Sequence, residues 1–201
     1  MTPVRALLAM MMSGLIGCIP VLESSDTGLE SCDTWTAPEN AWTKWSTNKP
    51  PCLESEGYNQ GQIVPDLRFV DQFGDEVALW QFYGQVIVLD FSTMWCGPCA
   101  ELARGVDHTW KKHRDEGFMY ITVLTQDLVS DPPDNDELNI WADDYSITAP
   151  VLSDERGYST EIIPNNAYPQ VMLIDRTMRV SIEAITPPED AAVDAAVQAA
   201  L

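Results

Sequence analysis

The chain has 201 residues, of which 45% are hydrophobic and 21% charged, enough for one core-bearing domain with an appendage and too apolar for wholesale disorder. Eleven basic residues stand against 31 acidic ones, a formal charge of −20. That field repels phosphate backbones and anionic lipid headgroups, which excludes nucleic-acid binding and electrostatic docking on membranes; solubility is the plain account of the acidity.

Residues 1–17 are expected to be a secretory signal. Arg5 precedes a short apolar run from Ala6 to Gly17, too short to span a bilayer but suited to an h-region. The run ends in Leu15-Ile16-Gly17-Cys18, which resembles a bacterial lipobox. Cleavage before Cys18 would leave that cysteine to carry a diacylglyceryl thioether; the alternative is an ordinary signal peptide with a chance cysteine. The cut removes Arg5 and no acidic residue, so attachment would rest on acyl chains, at about 0.8 kcal/mol per buried methylene. The expected location is the cell envelope, outside the cytoplasm and on the periplasmic side of a membrane.

There are five cysteines, at 18, 32, 52, 96 and 99, and assigning Cys18 to the lipid leaves an even four. Residues 18–60 have a linker-like composition yet contain Trp35, Trp42 and Trp45 as well as Cys32 and Cys52. A Cys32–Cys52 bridge would close a loop of about 20 residues and stabilise it by roughly 3 kcal/mol. The expectation is a tether and a disulfide-stapled flap packed on the main domain, with a second redox pair as the alternative.

The main domain is expected to span residues 61–201. Ile63 to Val70 is an extended lead-in, and Phe73-Gly74-Asp75 turns the chain into Val77-Ala78-Leu79. Val86 to Phe91 is an almost unbroken apolar run, the mark of a central strand buried on both faces. A helix is expected from Pro98 to Glu116, with Leu102, Ala103, Val106 and Trp110 as its buried stripe and Gly117 as its stop. Phe118 to Thr125 reads as a strand. Asp136 to Tyr145 reads as an amphipathic helix with Leu138, Trp141, Ala142 and Tyr145 on one side. Val171 to Ile174 and Arg179 to Ile185 are expected to pair antiparallel, and Glu189 to Leu201 forms a terminal helix. The order argues for an α/β fold, a mixed central sheet with helices on both faces.

At the junction of the central strand and its helix stands Trp95-Cys96-Gly97-Pro98-Cys99. Two cysteines with two residues between them close a tight disulfide ring with little rearrangement of the chain. At a helix start, unpaired backbone N–H groups and the positive dipole end stabilise a thiolate at Cys96. Pro98 falls in the first turn, where its missing N–H costs nothing. Cys99, facing inward, is the expected resolving thiol. Half a zinc site is the other use of such spacing, but no second Cys pair or paired His completes it.

Residues 61–201 resemble the extracytoplasmic thioredoxin-like reductases of the TlpA/ResA type, within the redoxin (AhpC/TSA-related) superfamily. The resemblance is carried by Val64-Pro65-Asp66-Leu67, Phe82-Tyr83-Gly84-Gln85-Val86, Leu89-Asp90-Phe91 running into the Trp95–Cys99 motif, Tyr168-Pro169-Gln170-Val171 and Leu173-Ile174-Asp175. It implies a thioredoxin-like fold and thiol–disulfide exchange with protein thiols and disulfides, with no cofactor. A donor or acceptor of electrons in the membrane is implied but not identified. It also implies that Pro169 is the family's cis-proline, facing the disulfide, and that Asp90 assists deprotonation of Cys99. Three positions depart from the pattern and bear on substrate choice and redox poise. Asp90 stands where many tethered members have Asn, Leu102 where some have Glu, and Gln170 where Thr is frequent.

Other features are weaker. His108 and His113 lie five apart on the helix and do not share a face as a metal pair would; His113 continues the buried stripe. Asp131 to Glu137 lacks the glycine and terminal glutamate of a calcium loop and reads as a solvated loop with a helix cap. Trp80, Trp110 and Trp141 are expected in the core. Two functional alternatives remain. A peroxiredoxin-like thiol peroxidase is suggested by Thr93 three residues before Cys96, although Leu89 occupies the place of that family's proline. A copper-binding module of the same fold would need a wider cysteine spacing.

Overall fold

The computed structural model describes residues 35–42, 52–163 and 165–201. The signal segment, Cys18 and Cys32 lie outside the described residues, and with them the Cys32–Cys52 bridge; Cys52 itself is exposed.

Among the described residues, seven strands form one mixed sheet in the order β2-β1-β5-β4-β3-β6-β7. They are β1 (Arg68–Asp71), β2 (Glu76–Ala78), β3 (Val86–Ser92), β4 (Phe118–Leu124), β5 (Val151–Ser153), β6 (Gln170–Ile174) and β7 (Val180–Ile182). The helices are α1 (Gly97–His113), α2 (Asn135–Asp144), α3 (Ser159–Ile162) and α4 (Asp190–Ala200). β3, β4 and β5 run parallel, while β6, β7, β1 and β2 join antiparallel. The apolar run 86–91 is the centre of this sheet: every residue of β3 is buried, between β4 on one side and β6 on the other.

Alternation along β3 divides the core. Ile87, Leu89 and Phe91 face a layer with Leu79, Phe82, Met172 and Ile163. Val86 and Val88 face a layer with Cys99, Leu102, Val106, Leu138, Trp141, Val193 and Val197, contributed by α1, α2 and α4. Helices therefore cover both faces unequally. Among the described residues the first face is covered by no long helix but by a 3-10 turn (Leu79–Phe82), α3 and lead-in residues such as Val64 and Leu67.

Several boundaries differ from the sequence reading. Helix 98–116 is α1 followed by a 3-10 turn (Arg114–Glu116), ended by Gly117 in the left-handed region at φ 82°. The second strand of the 171–185 pair is only 180–182. β5 and α3 were not foreseen: three and four residues are too short to display a period. Trp141 is buried as expected, whereas Trp80 and Trp110 are only half-buried. Asp134 caps α2 in a reciprocal box with Glu137. His108 is exposed; His113 is buried between Asp194 and Glu116, its Nε2 2.9 Å from Asp194.

Residues 35–42 pack on the β1–β2 end of the sheet. The Trp35 indole N–H donates to Asp66 at 2.7 Å and that of Trp42 to Asp71 at 2.6 Å. Asn40 exchanges hydrogen bonds with Gln81 and donates to the carbonyl of Glu76 on the edge strand. Asp71 is fully buried and also accepts from the backbone of Phe73 and Asp75. Trp42→Phe keeps a ring but removes a donor to this carboxylate. Since such a bond contributes roughly 1.5–3 kcal/mol, the expected result is a melting temperature about 5 °C lower in calorimetry. An unchanged value would mean that the segment does not contribute to stability.

Candidate active site

β3 delivers the chain to the cysteine motif. After Ser92, a turn leads to Cys96, the N-cap of α1, with Gly97 and exposed Pro98 as the first two helical residues. Cys96 and Cys99 are joined by a disulfide with Cα atoms 5.2 Å apart. The Cys99 backbone N–H points at Cys96 Sγ, 3.2 Å away. That N–H is one of the unpaired donors of the first helical turn, so a thiolate formed at Cys96 would find a donor and the positive end of α1 already in place. Cys96 is 6% exposed and Cys99 1%, so an incoming sulfur reaches Cys96 more readily.

The rim is built from separate parts of the chain. Trp95 is exposed and its indole donates to Gln126 after β4 at 3.1 Å. Its ring meets Tyr168 edge-on at 6.2 Å. The Tyr168–Pro169 bond is cis, as the resemblance implied for Pro169, and Pro169 is buried. Phe91 pairs with Gln170, so one further step of the antiparallel register sets Pro169 opposite Ser92, where the chain leaves for Cys96.

Asp90, near the end of β3, is 1% exposed. It shares the face of Val88, which packs in the layer containing Cys99, while Leu89 and Phe91 point to the other layer. Ser92 Oγ donates to its Oδ1 at 2.8 Å. Burial pushes the Asp90 carboxyl up to about 7, and the Ser92 bond only partly opposes this. A carboxyl poised near neutral pH can take up and give back a proton in the working range.

The sequence reading placed Asp90, Trp95, Cys96, Gly97, Pro98 and Cys99 together, and Pro169 is brought to the same end of the sheet. It missed Ser92, Gln126 and Tyr168 as partners. Ser92 was findable, since a residue two beyond Asp90 shares its face. Gln126 carried no local signal, and Tyr168, although part of the stretch around Pro169, carried none for its contact with Trp95, because both places depend on strand order. Among the described residues, no group of three or more His, Cys, Asp and Glu side chains is placed to hold a metal ion.

The AhpC/TSA family model matches residues 60–182. A thioredoxin-like protein of Bacillus subtilis, YneN, is 23% identical over 134 residues, 67% of this chain and 76% of the relative. Among solved structures, a thiol:disulfide interchange protein of Chlorobium tepidum superposes with a TM-score of 0.60 at 17% identity, covering 71% of this chain and 97% of that one. A secreted disulfide oxidoreductase of Mycobacterium tuberculosis gives a TM-score of 0.55 at 14% identity, covering 67% and 96%. The fold is thioredoxin-like.

The raised Asp90 fixes the sign of a pH effect. Between the ordinary carboxyl value of 3.8 and about 7, the native state holds a proton that the unfolded state has released. Stability therefore falls as pH rises through that window. Asp90→Asn should leave stability unchanged near pH 4 and raise it by a few kcal/mol, on the order of 2–4, at about pH 8. Denaturant unfolding at both pH values checks this; an equal effect at both would show that the carboxyl does not hold a proton in the native state.

Proposed function

This chain belongs to the AhpC/TSA family, and from that premise we propose that it is a thiol–disulfide oxidoreductase, tethered outside the cytoplasm, that reduces protein disulfides. The observation that carries the reading is the Cys96–Cys99 disulfide at the N-terminus of α1, with Asp90 buried on the face beneath it. In the reduced protein the Cys96 thiolate attacks one sulfur of a substrate disulfide, forms a mixed disulfide and releases the other sulfur as a thiolate. Cys99 gives its proton to the Asp90 carboxylate, and its sulfur attacks Cys96 Sγ. The second substrate thiolate leaves, and the two electrons gained by the substrate leave the protein as the Cys96–Cys99 disulfide. A dithiol donor must then reduce the pair again. Trp95 and Pro169 frame the entrance and align the substrate strand, while Gly97 and Pro98 keep the turn between the sulfurs short.

The tether is part of the same reading. Cys18 would carry the lipid, Cys32 and Cys52 would staple the flap, and the chain would work on the periplasmic side of a membrane. The Mycobacterium tuberculosis structure with the same fold is of a secreted protein, which supports that side. A thiol peroxidase is the second reading, favoured by the family match and by Thr93 three residues before Cys96. Fast peroxide consumption by the reduced protein, unaffected by loss of Cys99, would select it.

Cys99→Ser blocks the resolving step. In its native compartment this variant should accumulate mixed disulfides through Cys96, visible as reducible adducts on non-reducing gels and absent in Cys96→Ser. No adduct in a cell where the wild type cycles between oxidised and reduced forms would end the oxidoreductase reading.

Cys18→Ala should move the protein from the membrane to the soluble fraction, or leave it unprocessed, with disulfide exchange intact. Wild type found wholly soluble after fractionation would remove the lipid anchor.

A further inference from the structure

Asp90 can serve each cycle only if its proton leaves the interior, yet it lies under β3's own helix layer at 1% exposure. We propose that Tyr120 and Asp190 carry protons between Asp90 and solvent through the space beneath α1, an inference that rests on the role given to Asp90 above.

The path follows from register. β3 and β4 run parallel with Val88 opposite Tyr120 and Asp90 opposite Thr122, so the Tyr120 and Thr122 side chains share the face of Asp90. Tyr120 packs in the layer of Cys99, Ala103, Val106 and Val193, between the sheet and the helices. The hydroxyls of Tyr120 and Thr122 are buried, and neither has a hydrogen-bond partner among the described residues. An unpaired buried hydroxyl costs about 1–3 kcal/mol. In the proposed path, ordered water between these two hydroxyls and the carboxylate would satisfy them.

The outer end is Asp190, the exposed first residue of α4. Its Oδ1 accepts from Thr109 Oγ1 on the buried side of α1 at 3.0 Å. Gly105 makes room for it: a Cβ there would collide with the Asp190 carboxyl. In the β3-α1-β4 crossover the helix returns antiparallel to the strands. Two strand residues cover about 6.6 Å, the rise of four to five helical residues. Stepping from the level of Asp90 to that of Tyr120 therefore moves along α1 from Cys99 towards Gly105 and Thr109, where Asp190 lies. Burial is the main reason that the Tyr120 hydroxyl is pushed well above its ordinary value, and the Asp90 and Asp190 carboxyls both add to it.

The groups facing this path are Ser92 on β3, Tyr120 and Thr122 on β4, Cys99 and Thr109 on α1, and Asp190 on α4. β6 contributes apolar Val171 opposite Asp90. Lys112 and His113 are engaged by Asp194, one turn further along α4.

The balance is one proton per resolving step. Cys99 protonates Asp90 as the substrate thiolate leaves. Asp90 returns to carboxylate by passing the proton through water to the Tyr120 hydroxyl, which accepts it while giving its own, through a second water, to the Asp190 carboxylate. Asp190 releases it to solvent. No electrons move in this relay. Tyr120 and Asp190 are positioning residues for proton transfer and never touch the substrate.

The test is stopped-flow, single-turnover resolution of a mixed disulfide between Cys96 and a model peptide, from about pH 6 to about pH 9, in wild type and three variants. Tyr120→Phe and Asp190→Asn should each slow resolution roughly five- to tenfold at neutral pH, less than Asp90→Asn does. All three deficits should fade at high pH, where hydroxide takes the Cys99 proton directly. A packing defect would slow the step at every pH. A slow Asp90→Asn with either of the other two folded variants at the wild-type rate overturns the relay and leaves Asp90 as the base, since the two links act in series. A wild-type rate in Asp90→Asn removes the base and the relay together. Asp190→Asn is a surface change, so it decides the matter alone if Tyr120→Phe does not fold.

Discussion

β3 is a strand with no free side. Its seven residues are buried and all pair with β4, and Ile87 to Phe91 also pair with β6 on the other edge. A polar residue placed there is cut off from bulk solvent, so its protonation state is set by the fold. Asp90 is that residue. The same strand ends three residues before the cysteine motif, so the geometry that desolvates the carboxyl also fixes its place beneath α1. Site and core are one construction.

The two faces of the sheet differ in chemistry. The face of Ile87, Leu89 and Phe91 is filled by aliphatic and aromatic side chains. The face towards α1 and α4 buries Asp90, Ser92, Tyr120, Thr122 and Thr109 among its apolar residues. Polar groups in a core lose stability compared with well-packed apolar ones. Their concentration on the helix side that carries Cys99 matches a requirement of exchange chemistry, which moves a proton whenever a thiol becomes a thiolate.

Acidity has a structural use beyond solubility. Asp66 and Asp71 accept the indole N–H groups of the N-terminal segment. Asp127 accepts from Val129 and Asp131, Asp154 from Tyr158 and Ser159, and Asp175 from Thr177 and Arg179. Asp71, Asp127, Asp154 and Asp175 each organise a turn by taking backbone N–H groups that strand ends leave unpaired. The tryptophans of the linker-like stretch thereby gain a role: Trp35 and Trp42 lay the segment against the β1–β2 end of the sheet, and Asn40 covers a carbonyl of the edge strand.

The sequence by itself determined the elements whose signals are local. The run 86–91 needed only its unbroken hydrophobicity, α1 its stripe and the stop at Gly117, and the chemistry of Cys96 and Cys99 only a two-residue spacing at a helix start. Alternation alone set Asp90 on the face opposite Leu89 and Phe91. What the tertiary structure decided depends on which distant segments become neighbours. β5 exists because Val151 to Ser153 finds β4 and β1 on either side, not because three residues have a pattern. Gln126 holds Trp95 across 31 residues, and Tyr168 meets the same ring from the start of β6. Tyr120 and Thr122 looked like ordinary strand residues until the parallel register set them beside Asp90, and Asp190 became part of that face only when α4 closed over Gly105. Spacing along a chain records local geometry; pairing across a sheet is fixed by the burial of the whole, and no short window of residues contains it.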